Sequence, residues 1–196
     1  MGLPARKMDR RYTYADYRTW PDDERWELID GVAWNMSPAP SSGHQGLLGE
    51  LYIQVAPALK GSRCRVYLAP FDVLLPDSAG QKEDDVASVV QPDLTGICDA
   101  SRITPRGCFG VPDWVVEIIS PWTMKKDLNE KFQLYERNRI REYWLIDPAS
   151  RTLQVYRLGP AGRYGEAEIL EENAEIACPL GEGIVVRLAG VFAAGD

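Results

Sequence analysis

Glu117 sits inside Trp114-Val-Val-Glu117-Ile-Ile-Ser120, a run whose apolar neighbours read as a strand buried on both faces. A lone carboxylate there is desolvated and takes up a proton unless a cation, a hydrogen-bond donor or a metal lies beside it. Asp93 is the second acid. It follows Val89-Val-Gln-Pro92, and the proline places it at the edge or end of a strand. Two carboxylates on neighbouring strands repel each other unless a divalent cation lies between them. Oxygen-only ligation of that kind suits Mg²⁺ or Mn²⁺, with water and a substrate phosphate completing the shell. Lys131 is the third member. It lies in Lys126 to Arg139, which reads as a helix with Asp127, Lys131 and Tyr135 along one face at i, i+4 and i+8. A lysine beside a metal-bound water can orient that water or stabilise charge on a pentacovalent phosphorus.

To bring these groups together the chain needs a strand, a helix and a second strand. Ser120-Pro121 stops the Glu117 strand, Thr123 or Asp127 can cap the helix, and Glu142-Tyr-Trp-Leu-Ile-Asp147 resumes the sheet, so a parallel crossover is expected. Thr152-Leu-Gln-Val-Tyr-Arg-Leu158 alternates and reads as a half-exposed antiparallel strand. Upstream, Thr13-Tyr-Ala-Asp16 matches a capping box, and Asp30-Gly31 predicts a hairpin between Arg25–Ile29 and Val32–Met36. On that hairpin Glu27 alternates with Trp26 and Leu28; it is either a solvent-facing strand residue or a further acid near the site. His44 to Leu59 reads as a helix with Leu47, Leu48, Leu51, Tyr52, Val55 and Leu59 on its apolar side. His44 at its start is either structural or a contact to a substrate phosphate or to an acid. Lys82-Glu-Asp-Asp85 reads as a solvated loop, and residues 99–111, rich in Gly, Pro and Ser, as a loop able to cover a substrate groove. Short runs at 167–170, 174–178 and 184–188 suggest edge strands.

Pro92-Asp93, Glu117 and a basic residue after it resemble the PD-(D/E)XK nuclease superfamily, and more closely its Uma-type branch of restriction-endonuclease-like proteins. The resemblance extends over residues 12–158. It rests on Trp26-Glu27-Leu-Ile-Asp-Gly31, Met36-Ser-Pro38, His44, Gln91-Pro-Asp93, Val116-Glu117-Ile-Ile-Ser-Pro121, Asp127 with Lys131 and Tyr135, and Glu142-Tyr-Trp-Leu-Ile-Asp-Pro148. The superfamily pattern has Lys two residues after the Glu, where this chain has Ile119. Uma-type sequences are similar in this departure, with the lysine moved to the following helix, so the role passes to Lys131. The resemblance implies an α/β restriction-endonuclease-like fold, a mixed central β-sheet flanked by helices with additional antiparallel hairpins. It implies Mg²⁺- or Mn²⁺-dependent hydrolysis of DNA phosphodiesters, the metal held by Asp93, Glu117 and the main-chain carbonyl of Ile118. Lys131 would orient or activate water, Glu27 would assist metal or water, and Tyr135 would position Lys131 or a phosphate. DNA is the implied partner and a homodimer the implied assembly.

The chain of 196 residues, 45% of them hydrophobic, has the length for one α/β core. A single domain is expected over residues 12–196, with its core in 12–158, edge strands and an acidic segment in 159–196, and a loose basic arm in 1–11. No apolar run approaches a membrane span and the first residues lack the apolar stretch of a signal peptide, so a cytoplasmic protein is expected. Cys64, Cys98, Cys108 and Cys178 form no metal-binding pattern and are expected to be reduced thiols. The net charge of −7 runs against nucleic-acid binding. Six glutamates in residues 164–183, with no Lys or Arg among them, carry six of those seven charges. The rest is nearly balanced, with basic clusters at Arg6, Lys7, Arg10 and Arg11 and at Lys125, Lys126, Lys131, Arg137, Arg139 and Arg141. Either cluster is a rim around an acidic site or an ordinary solvated face. Two other classes stay open beside the nuclease: a nuclease-like module that binds without turnover, and a glycoside hydrolase using Asp93 and Glu117 as acid and base.

Overall fold

Strand and helix periodicities along the chain are realised as two mixed sheets packed face to face, with helices closing their open sides. The computed structural model describes residues 10–21, 23–36, 39–121 and 123–195. One six-stranded sheet contains β1 (Trp26–Ile29), β2 (Val32–Asn35), β4 (Asp72–Leu74), β5 (Val89–Val90), β7 (Ile103–Thr104) and β8 (Gly107–Phe109), in the order β2-β1-β5-β4-β8-β7. The other contains β3 (Arg65–Leu68), β6 (Leu94–Ile97), β9 (Trp114–Ile118), β10 (Glu142–Asp147), β11 (Thr152–Arg157) and β12 (Glu168–Glu171), in the order β12-β11-β10-β9-β6-β3. A separate antiparallel pair joins β13 (Glu175–Ala177) and β14 (Val185–Arg187).

The expected crossover is present: β9 and β10 run parallel, with Glu142 opposite Trp114 and Ile146 opposite Ile118. Between them the chain forms α3 (Met124–Lys126), a π-helical turn (Asp127–Lys131) and α4 (Phe132–Arg137). The helical segment stops two residues before the expected Arg139, because Arg139 takes a left-handed φ of 60° and Ile140 N–H returns to the Tyr135 carbonyl. Earlier in the chain come α1 (Tyr14–Tyr17) and α2 (Ser42–Val55), the latter capped by Ser41, which accepts from His44 N–H. A last helix, α5 (Leu188–Ala193), was not anticipated from the sequence.

Period two along β9 divides its side chains between two cores. Trp114, Val116 and Ile118 face a core completed by Leu47, Leu51 and Val55 of α2 and Val191 and Phe192 of α5. Val115 and Ile119 face the second core, with Val73 and Val90 of the first sheet and Leu134 and Tyr135 of α4. Glu117 shares that second face by alternation, so the strand points its acid between the two sheets. The Asp30-Gly31 hairpin forms as expected. Gly31 has φ +73°, and a Cβ there would lie 2.9 Å from that of Arg11.

Several expectations are corrected. Residues 99–111 do not form a free covering loop: they fold into β7 and β8, and β8 pairs in parallel with β4. Cys64 and Cys98 are not reduced thiols but a disulfide, because the register of β3 on β6 sets them opposite one another. The hairpin of β1 and β2 is the edge of the first six-stranded sheet. Of the expected basic arm, residues 1–9 lie outside the described residues, as do Ser37 and Pro38; Arg10 binds Asp16 and Arg11 binds the Asp30 carbonyl. Among the described residues no helix is long and apolar enough to cross a membrane.

Candidate active site

The antiparallel register of β6 on β9 pairs Leu94 with Val116. Continued by one residue, it sets Asp93 opposite Glu117. Asp93 Oδ2 accepts from Ile118 N–H at 2.7 Å, which ties the carboxylate to the main chain beside Glu117. His44 Nε2 lies 3.1 Å from the same oxygen and donates to it in the neutral tautomer that carries its proton there. The first turn of α2 therefore ends on the site, and His44 touches an acid rather than standing free.

Glu117 is only 4% exposed. Its Oε1 accepts from Lys131 Nζ at 2.7 Å and from Tyr135 O–H at 2.6 Å. Lys131 thus places its ammonium beside Glu117, whereas Ile119 is buried in apolar core. Glu27 is wholly buried, which excludes the solvent-facing reading. Its Oε1 accepts from Gln91 N–H at 2.8 Å and lies 2.8 Å from Lys131 Nζ in an ion pair, and its Oε2 accepts from Lys126. Asp127 completes the group, with Oδ1 buried, 3.9 Å from Lys131 Nζ and without a hydrogen-bond partner among the described residues.

Lys126, one of a basic cluster in the sequence, is buried and paired with Glu27. Lys126 and Lys131 are five residues apart, a spacing that an α-helix turns away from one face and a π turn brings back onto it. The π turn over Asp127–Lys131 is what presents both ammonium groups to Glu27. Gln91 is the second residue missed; its contribution is a main-chain N–H, which no side-chain pattern reveals.

Charge explains the proton-holding properties of the cluster. Among the described residues, three acids (Glu27, Glu117, Asp127) and two lysines (Lys126, Lys131) are buried together, and half-buried Asp93 adds a fourth acid. Burial opposes ionisation of Glu27, but Lys126 and Lys131 outweigh it and hold this carboxyl down at about 2. At Glu117 burial wins over the pull of Lys131, with Asp127, Asp93 and Glu27 adding repulsion, and the carboxyl is pushed up to about 8. Burial likewise raises Asp127, to about 6. Lys131 is held protonated: burial opposes its charge, but Glu117, Glu27 and Asp127 raise it well above its ordinary value. Burial first, and repulsion among the acids second, make Glu117 and Asp127 the carboxyls of this cluster that ionise last.

The donor set fits a hard divalent cation. Asp93 Oδ1 and Glu117 Oε2 accept no hydrogen bond from any described residue, and they belong to residues facing each other on adjacent strands. No group of three His, Cys, Asp or Glu side chains stands ready to hold an ion among the described residues. An ion here would rely on two carboxylates, a main-chain oxygen and water, as Mg²⁺ commonly does.

Comparison with known proteins identifies the family and the fold. The family described as "Uma2: Putative restriction endonuclease" matches residues 14–189. A crystal structure from Anabaena variabilis ATCC 29413, described as a "putative nuclease belonging to DUF820", has the same fold, with a TM-score of 0.72 and 21% identity over 94% of this chain and 99% of that one. No curated protein matches the chain.

Proposed function

The chain belongs to the Uma2 family, and on that footing we propose that it is a metal-dependent endonuclease hydrolysing DNA phosphodiester bonds. The observation that carries the proposal is the pairing of Asp93 with Glu117 across β6 and β9, in a cluster holding more acid than lysine. Held by Asp93, Glu117 and the Ile118 carbonyl, Mg²⁺ or Mn²⁺ would supply charge stabilisation for the pentacovalent phosphorus and a more acidic bound water.

The residues themselves divide the remaining work. Lys131 donates to Glu117 and pairs with Glu27, holding both acids in place, and would orient or activate a metal-bound water. Tyr135 donates to the same Glu117 oxygen and so turns the other toward Asp93. Glu27, ionised at every working pH, anchors Lys126 and Lys131 and acts through them. His44 orients Asp93 and lies where a phosphate could reach its ring. DNA is the proposed partner, and a homodimer the proposed assembly for cutting both strands.

A second reading is favoured by one observation: the two lysines already close an ion-pair network around Glu27 and Glu117, as a structural cluster would. In that case the fold serves as a binding module without turnover. The family assignment leaves no support for glycoside hydrolysis. Calorimetric titration of Mn²⁺ and Mg²⁺ into wild type, Asp93→Ala and Glu117→Ala, followed by incubation with supercoiled DNA, separates the two readings. Metal uptake and cutting by wild type, both lost in the variants, are expected. A wild type that takes up neither ion overturns the nuclease reading in favour of the binding module.

A further inference from the structure

Lys126 has no part in the chemistry proposed above, yet its side chain is only 6% exposed. Its neighbour Lys125 is exposed, the ordinary state of a lysine. Lys126 comes inside because the π turn that follows it sets it and Lys131 against one carboxylate. The two oxygens of Glu27 are divided between them. Oε2 accepts from Lys126, while Oε1 accepts from Gln91 N–H and lies 2.8 Å from Lys131 Nζ. Lys131 has further partners, since it donates to Glu117 Oε1 at 2.7 Å and lies 3.9 Å from Asp127 Oδ1. Among the described residues Lys126 donates to Glu27 alone. One ammonium is therefore shared between Glu27 and Glu117, and the other is committed to Glu27.

A buried carboxylate oxygen stripped of its partner draws in whatever cation remains nearby. For Glu27 Oε2 that cation is Lys131, and any shift of its ammonium toward Glu27 loosens its hold on Glu117. Lys126 also sets the charge that the cluster offers to an ion. Glu27, Asp93, Glu117 and Asp127 bring four negative charges when ionised and the two lysines two positive ones, so the excess of two matches one divalent cation. Without Lys126 the excess is three. We infer that Lys126 is a positioning residue that keeps Lys131 on Glu117 and limits the negative charge presented to the metal, a role that rests on the nuclease reading. It touches no reacting group and acts through Glu27 and Lys131.

The test is calorimetric titration of Mn²⁺ into wild type, Lys126→Met, Lys126→Gln and the double variant Lys126→Met with Glu27→Gln, each then given supercoiled DNA at saturating metal. Lys126→Gln keeps an N–H donor for Glu27 Oε2, which guards its folding, and the double variant removes one charge of each sign. Both single variants are expected to bind Mn²⁺ about tenfold more tightly than wild type, because one opposing charge is gone. They should nevertheless cut about tenfold more slowly, as Lys131 leaves Glu117. The double variant should return to the wild-type affinity for Mn²⁺. A lysine that merely props the fold would lower affinity and cutting together. Weaker or unchanged Mn²⁺ binding in the single variants, or cutting at the wild-type rate, overturns the inference and leaves the nuclease reading standing. A wild type that takes up no Mn²⁺ or cuts no DNA sinks the nuclease reading, and the nitrogen NMR resonance of the Lys131 ammonium in EDTA then decides. Displaced in Lys126→Gln, it upholds the positioning role; unmoved, it overturns it.

Discussion

Replacing Lys131 by Met keeps the aliphatic stem and removes the charge shared by Glu117 and Glu27, 2.7 and 2.8 Å away. Removing one partner of a buried ion pair strands the other and costs about 3–5 kcal/mol. In a chain of this size that lowers Tm by roughly 6–20 °C. The loss depends on pH with a definite sign. Glu27, held at about 2 instead of 4.5, contributes stability that is present above 4.5 and lost as pH falls through 2. Glu117, raised to about 8 from 4.5, contributes stability that is present below 4.5 and lost as pH rises through 8. Without Lys131 both carboxyls move up, so the gap below wild type widens as pH rises toward about 8 and beyond, and closes toward about pH 4, where protons replace the ammonium. Urea unfolding of both proteins in EDTA across that range measures the gap. A gap that stays constant with pH, or one under about 1 kcal/mol near pH 8, would show that Lys131 is not the counter-charge of this cluster.

Asp127→Asn addresses the acid whose Oδ1 has no hydrogen-bond partner among the described residues. Asp127 is raised to about 6 from 3.8, so its ionisation removes stability as pH rises through 6; the neutral amide should match wild type near pH 4 and exceed it by on the order of 1 kcal/mol near pH 8, again by urea unfolding. A variant less stable than wild type at the higher pH would contradict this. Tyr135→Phe removes one donor to Glu117 Oε1. It should cost about 1.5–3 kcal/mol where Glu117 is ionised and move the Glu117 titration further up, a displacement readable by carboxyl NMR; an unmoved titration would mean that the phenol does not support the charge.

The chemistry of this protein was legible where a residue type broke its local pattern. Glu117 stood out because strand periodicity made its burial predictable, and a buried acid demands a partner. Lys131 and Tyr135 followed from the 3.6-residue repeat, and the crossover that brings them to Glu117 was readable from the stop at Ser120-Pro121. Glu27 was visible but undecided, since alternation shows that it faces away from Trp26 and Leu28 and not which side is wet. His44 was likewise visible as a helix-start residue, but only the approach of α2 to the end of β6 gives it Asp93 as a partner.

Other features depended on contacts between segments far apart in the chain. Lys126 looked like any exposed helix lysine, because its pairing with Glu27 requires both the π turn and the placement of β1 against the helix, 99 residues away in sequence. The Cys64–Cys98 bond follows from strand register, and β8 beside β4 follows from how residues 99–111 pack; neither leaves a local trace. Residue types and periodicity alone determined that a buried acid and a lysine meet on a strand, helix, strand unit, with the second acid, Asp93, at the end of a neighbouring strand, because period and burial are properties of neighbours. Tertiary structure decided how much charge is gathered there and which groups balance it, because electrostatic energy depends on distances and burial that only the folded chain sets.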